Sequence, residues 1–492
     1  MITRLTGLVV AITIVCAACP PAEATRPKGQ SVIYADFGYI NYIATSQRHV
    51  YFATTNGIIV YNKMEQHWDP PLTGADGIDN QNIRRIYVDR FEQTICAQTD
   101  VGYLQYDSMF GQWYTISELP RMDSDDRHVA FPPIMVVPQG FVYMPGGNLA
   151  DGFGRSFPIS DMVDDGTGNV WIGTWGYGPA RASSISSPID FMPFGLIQNP
   201  AYTVVASDDS LLWIGGPTLT SNRTGITVFN RADLSFQQIE SGAKLDFPLV
   251  DVNCLEVDTN LLYVGTSQGL YVLDRDGWQV TARRDAGQGL PDQNVLCLKK
   301  VGDSLYVGTA RGLILLYHHL DSMTYIAPRQ FANRMIYDLK VVDDYLWIGS
   351  NVGAYRLALG TNHLQRFQDP DQILFNRVFS ICQSGRKLWL SSDAGAVQVN
   401  LETGATTPFR LLSNNTDSRA LAASDSMVAV VSDRGFTIIF LNRKNPLYRE
   451  FSVEDGLPSI YVFSLVLDGD YLWVGTDKGL CRFWWNNPFR ID

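Results

Sequence analysis

This sequence predicts an all-β propeller of about ten or eleven blades, and three observations predict it. A unit of three short strands and two tight turns recurs along almost the whole 492-residue chain. Its period is mostly 40–50 residues, the repeat length of propeller blades with three or four strands each. The composition agrees: 12% aromatic residues with 42 Gly and 24 Pro suit a turn-rich β fold, and no long stretch carries helical periodicity.

The clearest unit is residues 461–485, YVFSLVLDGDYLWVGTDKGLCRFWW. The apolar run VFSLVL meets the turn Asp468-Gly469-Asp470, then YLWVGT, then the turn Asp477-Lys478-Gly479 and LCRFWW. Aligned on Trp473, copies centre on Tyr51, Cys96, Trp171, Trp213, Tyr263, Tyr306, Trp347, Trp389 and Ala429. One gap of 75 residues, between Cys96 and Trp171, is expected to hold a degenerate eleventh copy at 134–147. The aromatic of the second strand is expected to wedge between neighbouring blades, where facing sheets need large apolar area. The Gly that opens the third strand, as at Gly479, suits a hairpin turn needing positive φ.

Taken in order, residues 1–24 read as an export signal. Arg4 begins it, residues 5–18 form an apolar core, Pro20-Pro21 breaks the helix, and Ala22-Glu23-Ala24 is a small-x-small cleavage site. A second reading stands beside it: CAAC ending at Cys19 resembles a bacterial lipobox, which would place a lipid on Cys19 and tether the chain to a membrane. No other apolar run is long enough to span a bilayer, so the only membrane link expected is that lipid. Export predicts the periplasm, the outer-membrane surface or the extracellular space.

Residues 31–38 (SVIYADFG) form an extra strand ahead of the first repeat, while only NNPFRID follows the last third strand. The N-terminal strand is therefore expected to complete the last blade, which removes an exposed edge. Repeats fill 31–492 as one large ring or two tandem rings, and the N-to-C clasp favours one continuous closure. Residues 107–133 and 145–160 leave the period and are expected as rim loops, as is the insertion at 217–224.

The net charge of −12 argues against a nucleic-acid binder. Five cysteines lie outside the leader, none in C-x-x-C spacing, and read as buried thiols rather than a disulfide or zinc framework. Cys254 and Cys297 share one register with Asp338, Ser380 and Ser464, a slot for small residues. Ser267 in GTSQG matches G-x-S-x-G, but strand rather than helix follows it, so it is read as a turn. DDGTGN (164–169) lacks the downstream Glu of a calcium loop and is read as a hairpin. The six histidines show no metal spacing. No metal, cofactor or catalytic residue is assigned.

The repeats resemble the two-component-regulator propeller repeat, a GLP lead-in followed by an inner strand and an "lWiGT..GL..y" core. GLPDQNVLCLKKVGDSLYVGTARGL (289–313) and GLPSIYVFSLVLDGDYLWVGTDKGL (456–480) carry the likeness, which extends from about residue 40 to 485. The resemblance implies paired propellers that serve as periplasmic sensor parts of hybrid histidine kinases or as stand-alone exported proteins. The sequence reaches Asp492 with no span, kinase or DNA-binding module, so the stand-alone, non-enzymatic kind is expected. Its ligand is expected to be an envelope protein or a glycan, bound at rim loops or in the central funnel. Rim candidates are Trp175 and Tyr177 in WGYG, and Asp123, Asp125 and Asp126 in the acidic run RMDSDDRH. The alternative is a polysaccharide lyase or hydrolase with dispersed funnel carboxylates. Carboxylates clustered with His, Tyr or Arg at one channel mouth would favour the enzyme, and exposed aromatics the binder.

Overall fold

The computed structural model describes residues 31–487 apart from 79–81, 93, 108, 110, 123–126, 185–186, 208–209, 219–222, 242–246, 249, 318–319, 394, 411–419 and 442–445. The leader with Cys19, the acidic run with Asp123, Asp125 and Asp126, and His318-His319 lie outside the described residues. Among the described residues the chain is nearly all β, with one four-residue α-helix, Pro328–Phe331. No described helix is long and apolar enough to cross a membrane.

Ten antiparallel sheets form a multi-blade β-propeller. Each blade arises from period-two alternation in its second strand, which sends successive side chains to opposite sheet faces. In Tyr471–Thr476, Leu472 and Val474 pack with Phe436 of the preceding blade, while Trp473 faces the other way onto Phe229 and Leu212. Each wedge thus serves the next blade. Trp213 packs with Leu262 and Val264, Tyr263 with Leu305 and Val307, and Tyr306 with Leu346 and Ile348. Trp347 packs with Leu388 and Leu390, and Trp389 with Val428 and Val430. Trp473 then returns to the sheet of Trp213. The relay closes after seven.

The ten sheets fall into two groups, of seven and of three. Seven blades, at 203–240, 252–284, 295–326, 336–366, 378–409, 421–451 and 462–484, close into a ring whose first inner strand lies beside the inner strands of both the second and the seventh. The other three sheets form an arc. Trp171 packs on Val50 and Phe52 of the first sheet, and Tyr51 of that sheet packs with Ile95 and Ala97 of the second. Among the described residues the relay goes no further than Cys96, the one repeat of the arc with no aromatic wedge. The expected eleventh copy is not a separate blade. Phe141–Met144 and Asn148–Asp151 form a hairpin added to the sheet of Trp171, because Asn148–Ala150 pair with Ser156–Pro158 at the head of its long strand. Residues 145–160 are thus largely strand rather than a rim loop.

Ser31–Tyr34 pairs antiparallel with Leu480–Phe483 and is the outer strand of the seventh ring blade. Tyr34 is buried at 5.0 Å from Phe229 and 6.3 Å from Trp473, ring centroid to centroid. Chain from both ends of the arc therefore meets the ring here. A buried ionic chain adds to this junction: Asp151, Arg155, Glu240 and Arg223 are joined by contacts of 2.6, 2.5 and 3.2 Å.

Candidate functional site

The inner strands of all seven ring blades enclose a central cavity of about 1080 Å³. One repeated irregularity shapes its mouth. Near its start, each inner strand of the second, third, fourth, fifth and seventh blades carries a β-bulge between its first paired residue and the slot residue. A bulge leaves one residue unpaired and re-aims it. The bulged residues are Asn253, Leu296, Tyr337, Phe379 and Phe463, and Tyr202 takes the corresponding place in the first blade; all line the cavity. They fall into two aromatic pairs across neighbouring blades. Tyr202 and Phe463 lie 4.3 Å apart, and Tyr337 and Phe379 5.1 Å apart. Arg377 stands beside them, its guanidinium 5.4 Å from the Phe379 ring and its Nε donating to Asp393 at 2.9 Å.

Below this collar the slot residues point into the sheet contacts. Cys254 and Cys297 sit so close to Gly265 and Gly308 that a Cβ there would collide with sulfur. Burial pushes both thiols up, so neither is a poised nucleophile. Next comes an aliphatic girdle with one residue per blade, running from Val204 through Leu255, Leu298, Leu339, Ile381 and Leu421 to Leu465, each under 9% exposed. The charged groups lie deeper. Lys299 Nζ meets Glu256 at 2.6 Å and Lys300 Nζ meets Asp258 at 2.8 Å. The hydrogen bond from Lys300 holds Asp258 below the usual carboxylate range. Asp338 accepts the backbone N–H groups of Ile381 and Leu339. The channel carboxylates are thus committed to lysines and main chain, Asp338 at its slot next to Tyr337 and the ion pairs beyond the girdle, and no histidine among the described residues lines the cavity.

The residues singled out in the sequence lie elsewhere. Trp175 is 40% exposed, edge-on to Tyr39 at 5.3 Å, on the arc. Tyr177 is half-buried among Phe141, Phe157 and Phe191, with the Arg223 guanidinium 3.9 Å from its ring. Burial pushes its phenol up. The two do not converge with the collar. Ser267 is in a hairpin turn followed by Gly269–Asp274, a strand, so no nucleophile elbow forms. In 164–169, the Asp165 carboxylate accepts from the N–H of Thr167 and Asn169 and from Trp171 Nε1, a self-satisfied turn. Among the described residues no group of three His, Cys, Asp or Glu could hold a metal. Sequence reasoning missed the collar, although a signal was present: each collar residue immediately precedes the slot position shared by Cys254, Cys297, Asp338, Ser380 and Ser464.

No family model matches the chain, and no curated protein does. Solved structures match its fold. PorZ of Porphyromonas gingivalis, an essential bacterial surface component of the type IX secretion system, aligns over 92% of this chain and 69% of its own at 15% identity, TM-score 0.50. The extracellular domain of a putative hybrid two-component system from B. thetaiotaomicron covers 92% and 71% at 14% identity, TM-score 0.47. Virginiamycin B lyase of Staphylococcus aureus covers 58% and 94% at 12% identity, TM-score 0.44. At these identities the likeness concerns the fold alone.

Proposed function

We propose that this chain is an exported, non-enzymatic propeller of the cell envelope that binds an envelope protein or a glycan at the collared mouth of its seven-bladed ring. One observation carries the reading: two aromatic pairs line one mouth, with Phe379 buried against Tyr337, while the Glu256 and Asp258 carboxylates are paired off below the girdle. Aromatic faces with a few polar groups bind by apolar contact and stacking, whereas glycoside chemistry needs two carboxyl groups facing one bond. The apolar leader supports export, with soluble and Cys19-lipidated forms both compatible with it. The fold shared with PorZ, a bacterial surface component, agrees with an envelope location.

The test is a panel of envelope polysaccharides and envelope proteins presented to the purified chain, read for both retention and cleavage. Retention without cleavage, lost in a Tyr337→Ala, Phe463→Ala double variant that still melts cooperatively, is the expected result. Cleavage products would establish the lyase or hydrolase alternative instead.

A further inference from the structure

Beside the mouth, between the fourth and fifth ring blades, a separate cavity of about 410 Å³ is lined by Asn351, Tyr355, Arg366, Phe375, Arg377 and Asp393. Asn351 and Asp393 occupy the same turn position, one after the second strand of each blade. The loop between these blades departs from the GLP lead-in. Asp369, buried at 5% exposure, accepts the N–H groups of Ile373 and Leu374 at 2.8 and 2.9 Å. This fixes the 3-10 turn Ile373–Phe375 and holds Phe375 out at 40% exposure. The Arg366 guanidinium lies 4.0 Å from the Phe375 ring and donates to the carbonyls of Val352 and Phe375. The site is built from groups that hold each other in place.

Its polar complement is nevertheless incomplete. Asp393 spends Oδ2 on Arg377 and leaves Oδ1 without a partner; Asn351 Oδ1 and Arg366 Nε also have none. Shielded polar atoms left unpaired cost stability, so three at one cavity call for an explanation. Two acceptors and one donor beside an aromatic ring define the missing partner. Hydroxyl groups both donate and accept, which suits a site with two acceptors and one donor to satisfy. The C–H face of a sugar ring packs on an aromatic side chain.

We infer that this cavity is a subsite for one pyranose residue of a glycan whose remainder reaches the collar past Arg377, which lines both spaces. The inference rests on the reading of the mouth as a binding site and names its ligand class. The probes are methyl glycosides of glucose, galactose, mannose, N-acetylglucosamine and glucuronic acid, titrated against the full exported chain by saturation-transfer NMR and calorimetry. At least one is expected to bind with a millimolar Kd, weakened about tenfold or more by Phe375→Ala and by Asn351→Ala, and unchanged by Phe463→Ala. Melting curves establish folding, and Asn351→Ala carries the test if Phe375→Ala does not fold. No binding of any glycoside, or binding that survives both cavity variants, overturns the subsite. If polysaccharide retention is then lost only in the collar variants, the mouth reading stands without the subsite. If retention is absent from the unaltered chain too, both fail.

Discussion

The carboxylate of Asp338 accepts the backbone N–H of Ile381 at 2.6 Å, stapling the inner strand of the fourth ring blade to that of the fifth. It also accepts the N–H of Leu339 at 2.8 Å. The arc uses the same device, where Asp161 takes the N–H of Ile43 at 2.9 Å. Inner strands of neighbouring blades share no ladder, so a side chain of the right length supplies a directional bond between them.

Burial holds the Asp338 carboxyl up at about 6, against an ordinary value of 3.8. The folded state therefore binds this proton more tightly than the unfolded chain. Its contribution to stability is fully present below 3.8, declines as pH rises towards 6, and is flat above. Asp338→Asn keeps an acceptor but cannot ionise, so it should gain on the wild type in melting temperature between pH 4 and 6 and run parallel above. A difference that shrinks over that interval would contradict the assignment.

Tyr34 belongs to the strand that closes the ring and packs against Phe229, Phe236 and Trp473. Tyr34→Ala should destabilise the chain by about 3–5 kcal/mol, the cost of deleting a large buried aromatic. Removing 31–34 altogether exposes the edge at Gly479–Trp484 and should produce aggregation, seen by light scattering. A monomeric strand-deleted chain with native melting would show that the ring closes without it.

Glu240 stands between two guanidinium groups, Arg155 of the arc and Arg223 of the ring, in a largely buried setting. Glu240→Gln removes the charge that joins the two, although Arg155 keeps Asp151 at 2.6 Å, and should cost about 3 kcal/mol. The loss should fall on the junction, so calorimetry is expected to resolve a low-temperature transition for the arc ahead of the ring. One unchanged transition would remove this residue from the coupling.

Gly475 lies where the seventh blade meets the first. A Cβ there would stand 2.5 Å from the carbonyl oxygen of Ala201 and overlap Ser464 Oγ. Gly475→Ala should lower stability by about 1–3 kcal/mol. Gly360→Ala, at an exposed position with nothing within 4 Å of the added carbon, should change it by less than about 0.5 kcal/mol. Equal effects in denaturant titrations would deny that close blade approach requires the glycine.

The sequence by itself determined the blade. Alternation in segments such as YLWVGT, the Gly at the following turn and the wedge aromatic are local features, and nine of the ten described sheets are four-stranded, with wedges such as Trp213 and Tyr263 meeting the next blade. It also placed the slot residues one step from the collar. What it left undecided is which blade each wedge meets. Trp171 and Trp213 are 42 residues apart, as are Trp347 and Trp389, yet the first pair spans the passage from arc to ring and the second lies within the ring. Ring closure joins residues 31–34 to 480–483, and the collar joins Tyr202 to Phe463; both are contacts between distant parts of the chain that no local period encodes. Only the folded packing, in which Trp473 finds the sheet of Trp213, sets the count at seven and three. The mouth with its aromatic pairs exists only once that count is fixed, because the channel that brings the bulged residues together is a property of the closed ring.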